Sequence, residues 1–386
     1  MAENTSPEVR DIEKRELNST INSYVGNKHE LLERVPELID WNMFRRRCTP
    51  ELVEVLQMQH KRLKKRGVQL KIQEEDLSKG WVRGRIYYLQ MESSYQDGPY
   101  TIAVLKKKRK RVREYYREKQ MLSKVKDKAW FTYFVRQEPE EGIKLSSEDV
   151  TFKALGNYTR ETEYQPEPYF KEQKAMLSTI LTPPWVIMMS FAGGLRYMLG
   201  GAMSKWFPFL QGDIVAIAPT LIVAGMECAL AVPILKIWWN WKRRCKSHKV
   251  LQSIRKQWQD FSVEQFVSMA DSRLKRIFYA DSMAEIGDFV SCDLSEFLKK
   301  YANVVDCETM DFWFMGISQD ENYEYIDVRQ KVLLTGDLGN RMKRKKLTVE
   351  IRFMRSKDSI MYTDFYRDWY VGEISFGGKK YGDKIG

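Results

Sequence analysis

YEYIDVRQKVLLTG, residues 323–336, alternates apolar and polar side chains with the two-residue period of a half-buried β-strand. Three further runs share that period: VVDCETMDFWFMGISQD at 304–320, KKLTVEIRFMRS at 345–356 and WYVGEISFG at 369–377. Turns are expected at Asp320 to Asn322, in a Gly336 to Lys346 loop, and around Asp358 to Asp368. Upstream the period changes to that of a helix. Ser262 and Gln265 have capping-box spacing, and Val263, Phe266, Val267, Ala270, Leu274, Ile277 and Phe278 recur at helical intervals. Leu294, Phe297, Leu298 and Tyr301 mark a second helix. Helices followed by a meander of antiparallel strands describe an α+β domain at 261–378, with a tail at 379–386.

That order, with the phrase DENYEYIDVRQKVLL and a closing strand opened by DWYVGEISF, resembles the Tim-44-like domain family. The family's namesake is subunit 44 of the mitochondrial inner-membrane import translocase. The resemblance covers roughly 262–378 and rests on element order and hydrophobic pattern. It implies a nuclear-transport-factor-like cone fold, a curved sheet wrapped around helices. It also implies a membrane-attached adaptor, because relatives tether import or translation machinery.

The N-terminal part repeats the order. Thr49 and Pro50 start a helix, Leu52, Val55, Leu56 and Leu63 form its apolar face, and Gly67 closes it. Strand-like VQLKIQ, WVRGRIYYLQMES, KAWFTYFVRQ and DVTFKALG follow. A divergent second copy of the domain is therefore expected at 31–175, after an extension at 1–30. The competing reading is an unrelated α+β module of similar order. Two basic stretches fall at corresponding places and read as loops. One holds Lys106, Lys107, Lys108, Arg109, Lys110, Arg111 and Arg113; the other holds Arg341, Lys343, Arg344, Lys345 and Lys346.

Between the two parts charge thins out. Residues 183–203 and 214–239 each approach the roughly 20 residues a spanning helix needs, and a short turn joins them. The expectation is a central transmembrane helical hairpin at 176–245, followed by a linker at 246–260. Trp185, Trp206, Trp238, Trp239 and Trp241 stand where interfacial aromatics belong. Lys242, Arg243 and Arg244 join lysines before the first run in placing both flanks in the cytoplasm. Arg196 and Glu227 lie at matched depth and can pair. A buried helical pair or re-entrant segments are the alternatives. The expected location is therefore an integral membrane protein with both soluble domains cytoplasmic, in a bacterial plasma membrane ahead of a mitochondrial inner membrane.

Lysine and arginine outnumber aspartate and glutamate by 64 to 52, which suits an anionic neighbour or a solvated basic surface. Five scattered cysteines without metal-ligand spacing suit a reducing compartment. The three histidines, His29, His60 and His248, form no catalytic grouping; His60 and His248 read as surface residues. Asp327 alternates with apolar neighbours and can face either the cone or solvent. No cofactor, no metal and no catalytic residue is read. The expected function is a non-catalytic adaptor whose partners are the lipid bilayer and a protein, peptide or ribosome, with anionic lipid or RNA touching the basic stretches. The alternative is a small-molecule or lipid sensor, or an enzyme, using the cone pocket.

Overall fold

The computed structural model describes residues 7–76, 86–91, 100–138, 142–148, 198, 243, 246–247, 249–254, 256–258, 261, 263–357, 369–376 and 379–381. The chain divides into two compact units, Met1–Thr159 with Lys249–Gly386, and Arg160–His248. The N-terminal part of the first unit contains α1 (Pro7–Arg34), α2 (Asn42–Arg45), α3 (Pro50–Arg66), β1 (Gln69–Asp76), β2 (Ile86–Met91), β3 (Tyr100–Arg117), β4 (Gln120–Glu138) and β5 (Gly142–Ser147). Its C-terminal part adds α4 (Val263–Tyr279), α5 (Ser295–Tyr301), β6 (Val304–Gln319), β7 (Tyr323–Asp337), β8 (Met342–Ser356), β9 (Tyr370–Phe376) and β10 (Lys379–Tyr381).

The four C-terminal runs of period two are β6 to β9. They form a five-stranded antiparallel sheet in the order β10-β9-β8-β7-β6. Alternation along β7 sends Ile326, Val328, Val332 and Leu334 inward, and they pack with the apolar stripe of α4. The first sheet runs β1-β3-β4-β5, with β2 also pairing β3. Because β4 covers one edge of β3 from Thr101 to Arg117, β1 (Gln69↔Tyr116 to Asp76↔Arg109) and β2 (Ile86↔Leu105 to Met91↔Tyr100) share the other edge. Topologically they are one interrupted strand. Each half is thus helices followed by an antiparallel meander.

Helix α3 is the spine between the halves. Its start follows the sequence: Thr49 is extended, Pro50 takes the first turn, and Gly67 ends the helix at φ +60°. Apolar residues occupy more than one of its faces. Leu52, Val53 and Leu56 enter the N-terminal core, whereas Val55 enters the C-terminal one. Arg62, fully buried, donates to the carbonyls of Tyr279 (2.9 Å) and Ala280 (2.7 Å) after α4, and to that of Ala302 (2.6 Å) after α5. Those carbonyls are the orphan acceptors that every helix C-terminus leaves, and a cation there also meets the negative dipole end. Asp281 pairs with the same guanidinium at 2.8 Å.

Several expectations change. The central transmembrane hairpin is not supported, because among the described residues no helix is long and apolar enough to cross a membrane. The longest described helix, α1, carries charged residues throughout, so length alone does not qualify it. The two runs expected to span lie outside the described residues, apart from Met198, which is helical and exposed. Residues 1–30, read as an extension, fall mostly in α1, whose Ile21, Tyr24 and Val25 are buried in the N-terminal core. The tail contributes β10, and Tyr381 joins the C-terminal core. DVTFKALG lies outside the described residues; the last described strand of this half is β5, Gly142–Ser147.

Replacing Arg62 with Met leaves the Tyr279 and Ala280 carbonyls without their side-chain donor, while Ala302 keeps Arg66 and Asp281 keeps Lys65. Chemical denaturation of the full chain is expected to show a loss of about 3 to 5 kcal/mol, in one transition for both halves. Arg62→Lys, which keeps the charge and loses the fork, is expected to fall between. A wild-type midpoint in Arg62→Met refutes the clamp.

Candidate functional site

The basic stretch at 106–113 is no loop. It lies inside β3, hydrogen-bonded to β4 throughout and to β1 from Arg109 onward. Alternation sorts its charges, placing Arg109, Arg111, Arg113 and Tyr115 on one buried face while Lys110 on the other face is exposed. Lys106, Lys107 and Lys108 belong to the same strand.

Acids from three strands meet those arginines. Glu74 of β1 receives both Arg109 and Arg111. Arg113 pairs with Asp306 at 2.8 Å and Glu308 at 2.6 Å, both on β6, and with Asp127 of β4 at 2.5 Å. Tyr115 donates to Asp306 at 3.0 Å, and Gln59 of α3 to the other carboxylate oxygen at 3.3 Å. Arg344 of β8 reaches Asp127 at 3.3 Å. A buried seam of charge therefore joins the halves.

The seam's ionisations follow from its crowding. Burial opposes a charge on Glu74, but the His29 imidazole 3.8 Å away and the charges of Arg111 and Arg109 hold its carboxyl far below the usual carboxylate range. Burial likewise opposes the charge of Arg113, while Glu308, Tyr115 and Asp306 hold it protonated well beyond an ordinary guanidinium. Burial and the Asp306 carboxylate push the Tyr115 phenol up. Groups so committed to one another are poor proton shuttles.

A second buried polar group sits between α4 and the end of β5. Asp271 pairs with Lys275 at 2.8 Å and accepts from Ser147 at 3.1 Å and Thr309 at 2.5 Å. Lys275 also donates to the Glu148 carbonyl at 3.2 Å. The types would suit nucleophilic chemistry, yet Ser147 and Asp271 are each 1% exposed, so no substrate reaches them. They stitch the first sheet to α4. Burial pushes the nearby Cys307 thiol far above its ordinary value, and that of Cys48 up to about 12, so neither is a ready nucleophile.

The second basic stretch is also largely strand. Its turn is only Leu338 to Arg341, closed by the Leu338 amide on the Arg341 carbonyl at 3.0 Å, and Lys343 to Lys346 lie in β8. Arg344 joins the seam; Arg341, Lys343, Lys345 and Lys346 are exposed. Arg117, at the end of β3, donates to Gly339 and Asp337 in that hairpin and to the Arg66 carbonyl at the end of α3. The β3–β4 turn, Glu118 and Lys119, thus meets the β7–β8 turn at one end of the unit. Both turn residues have positive φ, +47° and +69°, the type I′ geometry of a two-residue hairpin, here without glycine.

The remaining expected residues scatter. Asp327 faces solvent and pairs with Arg352 at 2.8 Å. His60 is buried rather than on the surface, edge-on to Trp41, and burial lowers its pKa. Arg243 is helical and exposed. Trp185, Arg196, Trp206, Glu227, Trp238, Trp239, Trp241, Lys242 and Arg244 lie outside the described residues, as does His248. Sequence reasoning missed the acids of the seam; the only signal was the lone Glu74–Glu75–Asp76 cluster opposite a run of arginines. No protein family and no curated protein matches the chain.

The depressed carboxyl of Glu74 fixes the sign of a pH effect. Its contribution is complete above the unfolded value of about 4.3 and is lost as pH falls toward the folded one. Acid titration of stability is expected to fall below about pH 4. Glu74→Gln is expected to cost about 3 to 5 kcal/mol at neutral pH and to flatten that acid limb. An unchanged acid limb contradicts the assignment.

Proposed function

We propose that the protein is a non-catalytic scaffold whose two halves, clamped into one body, present the basic hairpin end to an anionic partner. The observation that carries the proposal is a division of charge. Buried ionisable groups between the halves are spent on one another, whereas Lys119, Arg341, Lys343, Lys345 and Lys346, exposed and in no ion pair among the described residues, form a cluster at one end; Arg45, Arg46 and Lys299 are exposed and unpaired elsewhere. A solvated lysine costs nothing to keep and is free to exchange its counterion for a partner's negative charge.

The interior of the C-terminal half argues the same way. Phe261, Phe266, Phe314, Phe353 and Trp369 touch ring to ring at centroid distances of 5.3 to 6.3 Å, filling the space between α4 and the sheet. A core so filled offers a substrate little room. The resemblance to Tim-44-like domains, with their tethering roles, adds an independent reason for an adaptor.

One observation favours the competing small-molecule reading. Gln330 is fully buried on the inner face of β7, and neither its amide nitrogen nor its oxygen has a partner. Gln330→Leu separates the readings. A plain core orphan gives a gain of about 1 to 3 kcal/mol with binding at the basic end intact, since an unsatisfied buried amide is costly. A ligand group gives a loss of function despite the gain.

The scaffold itself is tested by photo-crosslinking from Lys345 in cells, with Glu321 at the far end of the sheet as control. A discrete adduct from 345 alone, lost when the probe at 345 is combined with Arg341→Gln/Lys343→Gln/Lys346→Gln without loss of stability, is expected. Identical products from both positions overturn the reading.

A further inference from the structure

Besides its cations, the hairpin end carries large apolar side chains that the fold leaves in water. Leu338, in the β7–β8 turn, is 47% exposed and Met121, just after the β3–β4 turn, 53% exposed. Leu38, three residues beyond Val35, is 93% exposed. These belong to one place. Val35 at the end of α1, Leu122 of β4 and Met342 of β8 pack on a single cluster with Leu63, Tyr115 and Val305. The Arg117 contacts to Asp337, Gly339 and Arg66 tie the same turns together. Three of the six exposed large hydrophobics among the described residues are therefore at one end.

Around them stand Lys64, Lys119, Arg341, Lys343, Lys345 and Lys346, all exposed. The acids at this end are Glu118; Glu37, which faces Lys64 at 3.8 Å; Asp337, which is held by Arg117; and, further from the turns, Glu33, which faces Lys71 at 3.3 Å, and Glu114, which is held by Lys124 at 2.6 Å. Cations remain in excess. A phosphate backbone can satisfy the lysines but offers no burial for Leu338 and Met121 at the turn tips. An anionic bilayer surface does both, taking apolar tips into the acyl boundary while the headgroups meet the cations.

We propose that this end docks on an anionic lipid surface, with Leu338 and Met121 inserted and Lys119, Arg341, Lys343, Lys345 and Lys346 against the headgroups. The proposal rests on reading the basic end as the binding surface and names its partner. It makes no use of residues 176–245.

The test places an environment-sensitive fluorophore at Leu338 of the full chain, and in a second preparation at Glu321. Each is mixed with vesicles of phosphatidylcholine alone, or with added phosphatidylglycerol, and with a single-stranded oligonucleotide. A blue shift at 338, quenched by a lipid-borne quencher, is expected only with the anionic vesicles, with none at 321. Lys343→Gln/Lys345→Gln/Lys346→Gln is expected to lower the inserted fraction about a hundredfold at equal stability. Leu338→Ser with Met121→Ser, labelled at Asn340, is expected to keep salt-sensitive attraction and lose the shift. A response at 338 to the oligonucleotide but not to vesicles overturns the lipid assignment and leaves the basic end as a binding surface. Silence to both overturns the two together.

Discussion

Three arginines on one face of a single strand can be buried only where carboxylates meet them. Arg109, Arg111 and Arg113 are each 5% exposed or less, and Glu74, Asp127, Asp306 and Glu308 meet them. The desolvation of so many charges offsets much of their attraction, and an apolar seam of similar volume would be as stable. What the charges add is register. A slip of β3 by one residue would set Val112 against Asp306 and Glu308 and expose the arginines, leaving those buried carboxylates unmatched. The position of β6 against the first half follows from the same pairs, and with it Val305 in the shared cluster and the arrival of α4 and α5 under Arg62.

The halves share a topology and differ in what fills their inner faces. Along β7 the inward residues are Ile326, Val328, Gln330, Val332 and Leu334, and helix and aromatic rings close over them. Along β3 the inward residues include Arg109, Arg111 and Arg113, whose charges apolar side chains alone cannot cover. The start of β6 from the other half covers them, bringing Asp306 and Glu308. The first half has an apolar core of its own, but the charged stretch of β3 is completed by its neighbour. That asymmetry is why the pair forms one body.

The elements of the C-terminal half were legible because their signal is local. Period-two runs and a capped apolar helix each announce themselves within some fifteen residues. Helix α3 was legible for the same reason, from Thr49, Pro50 and Gly67. The run at 106–113 was not, since seven cations in eight residues contradict the usual preference of strands. Its explanation lies in residues about thirty-five and two hundred positions away, which no local pattern displays. His60 failed similarly: a basic helix segment reads as surface until the stretch after α1, with Pro36 and Trp41, folds against it. The exposed lysines of β8 were found, though as a loop, because a strand edge and a turn look alike when both are polar.

The hairpin end is composite, and this ties the seam to whatever binds there. Lys119 and Met121 come from the first half; Leu338, Arg341, Lys343, Lys345 and Lys346 come from the second. Neither half alone presents more than part of the surface. Arg117 spans the junction, reaching from β3 to Asp337 and Gly339. A partner that needs both sets of groups binds the assembled body and not its separated halves, so by mass action it strengthens the seam as it binds. The linkage is reciprocal: any change that loosens the arginine pairs weakens binding at an end that contains none of them. A rigid seam of charge in the interior is in this way the condition for a usable surface of opposite purpose, where charge is left exposed.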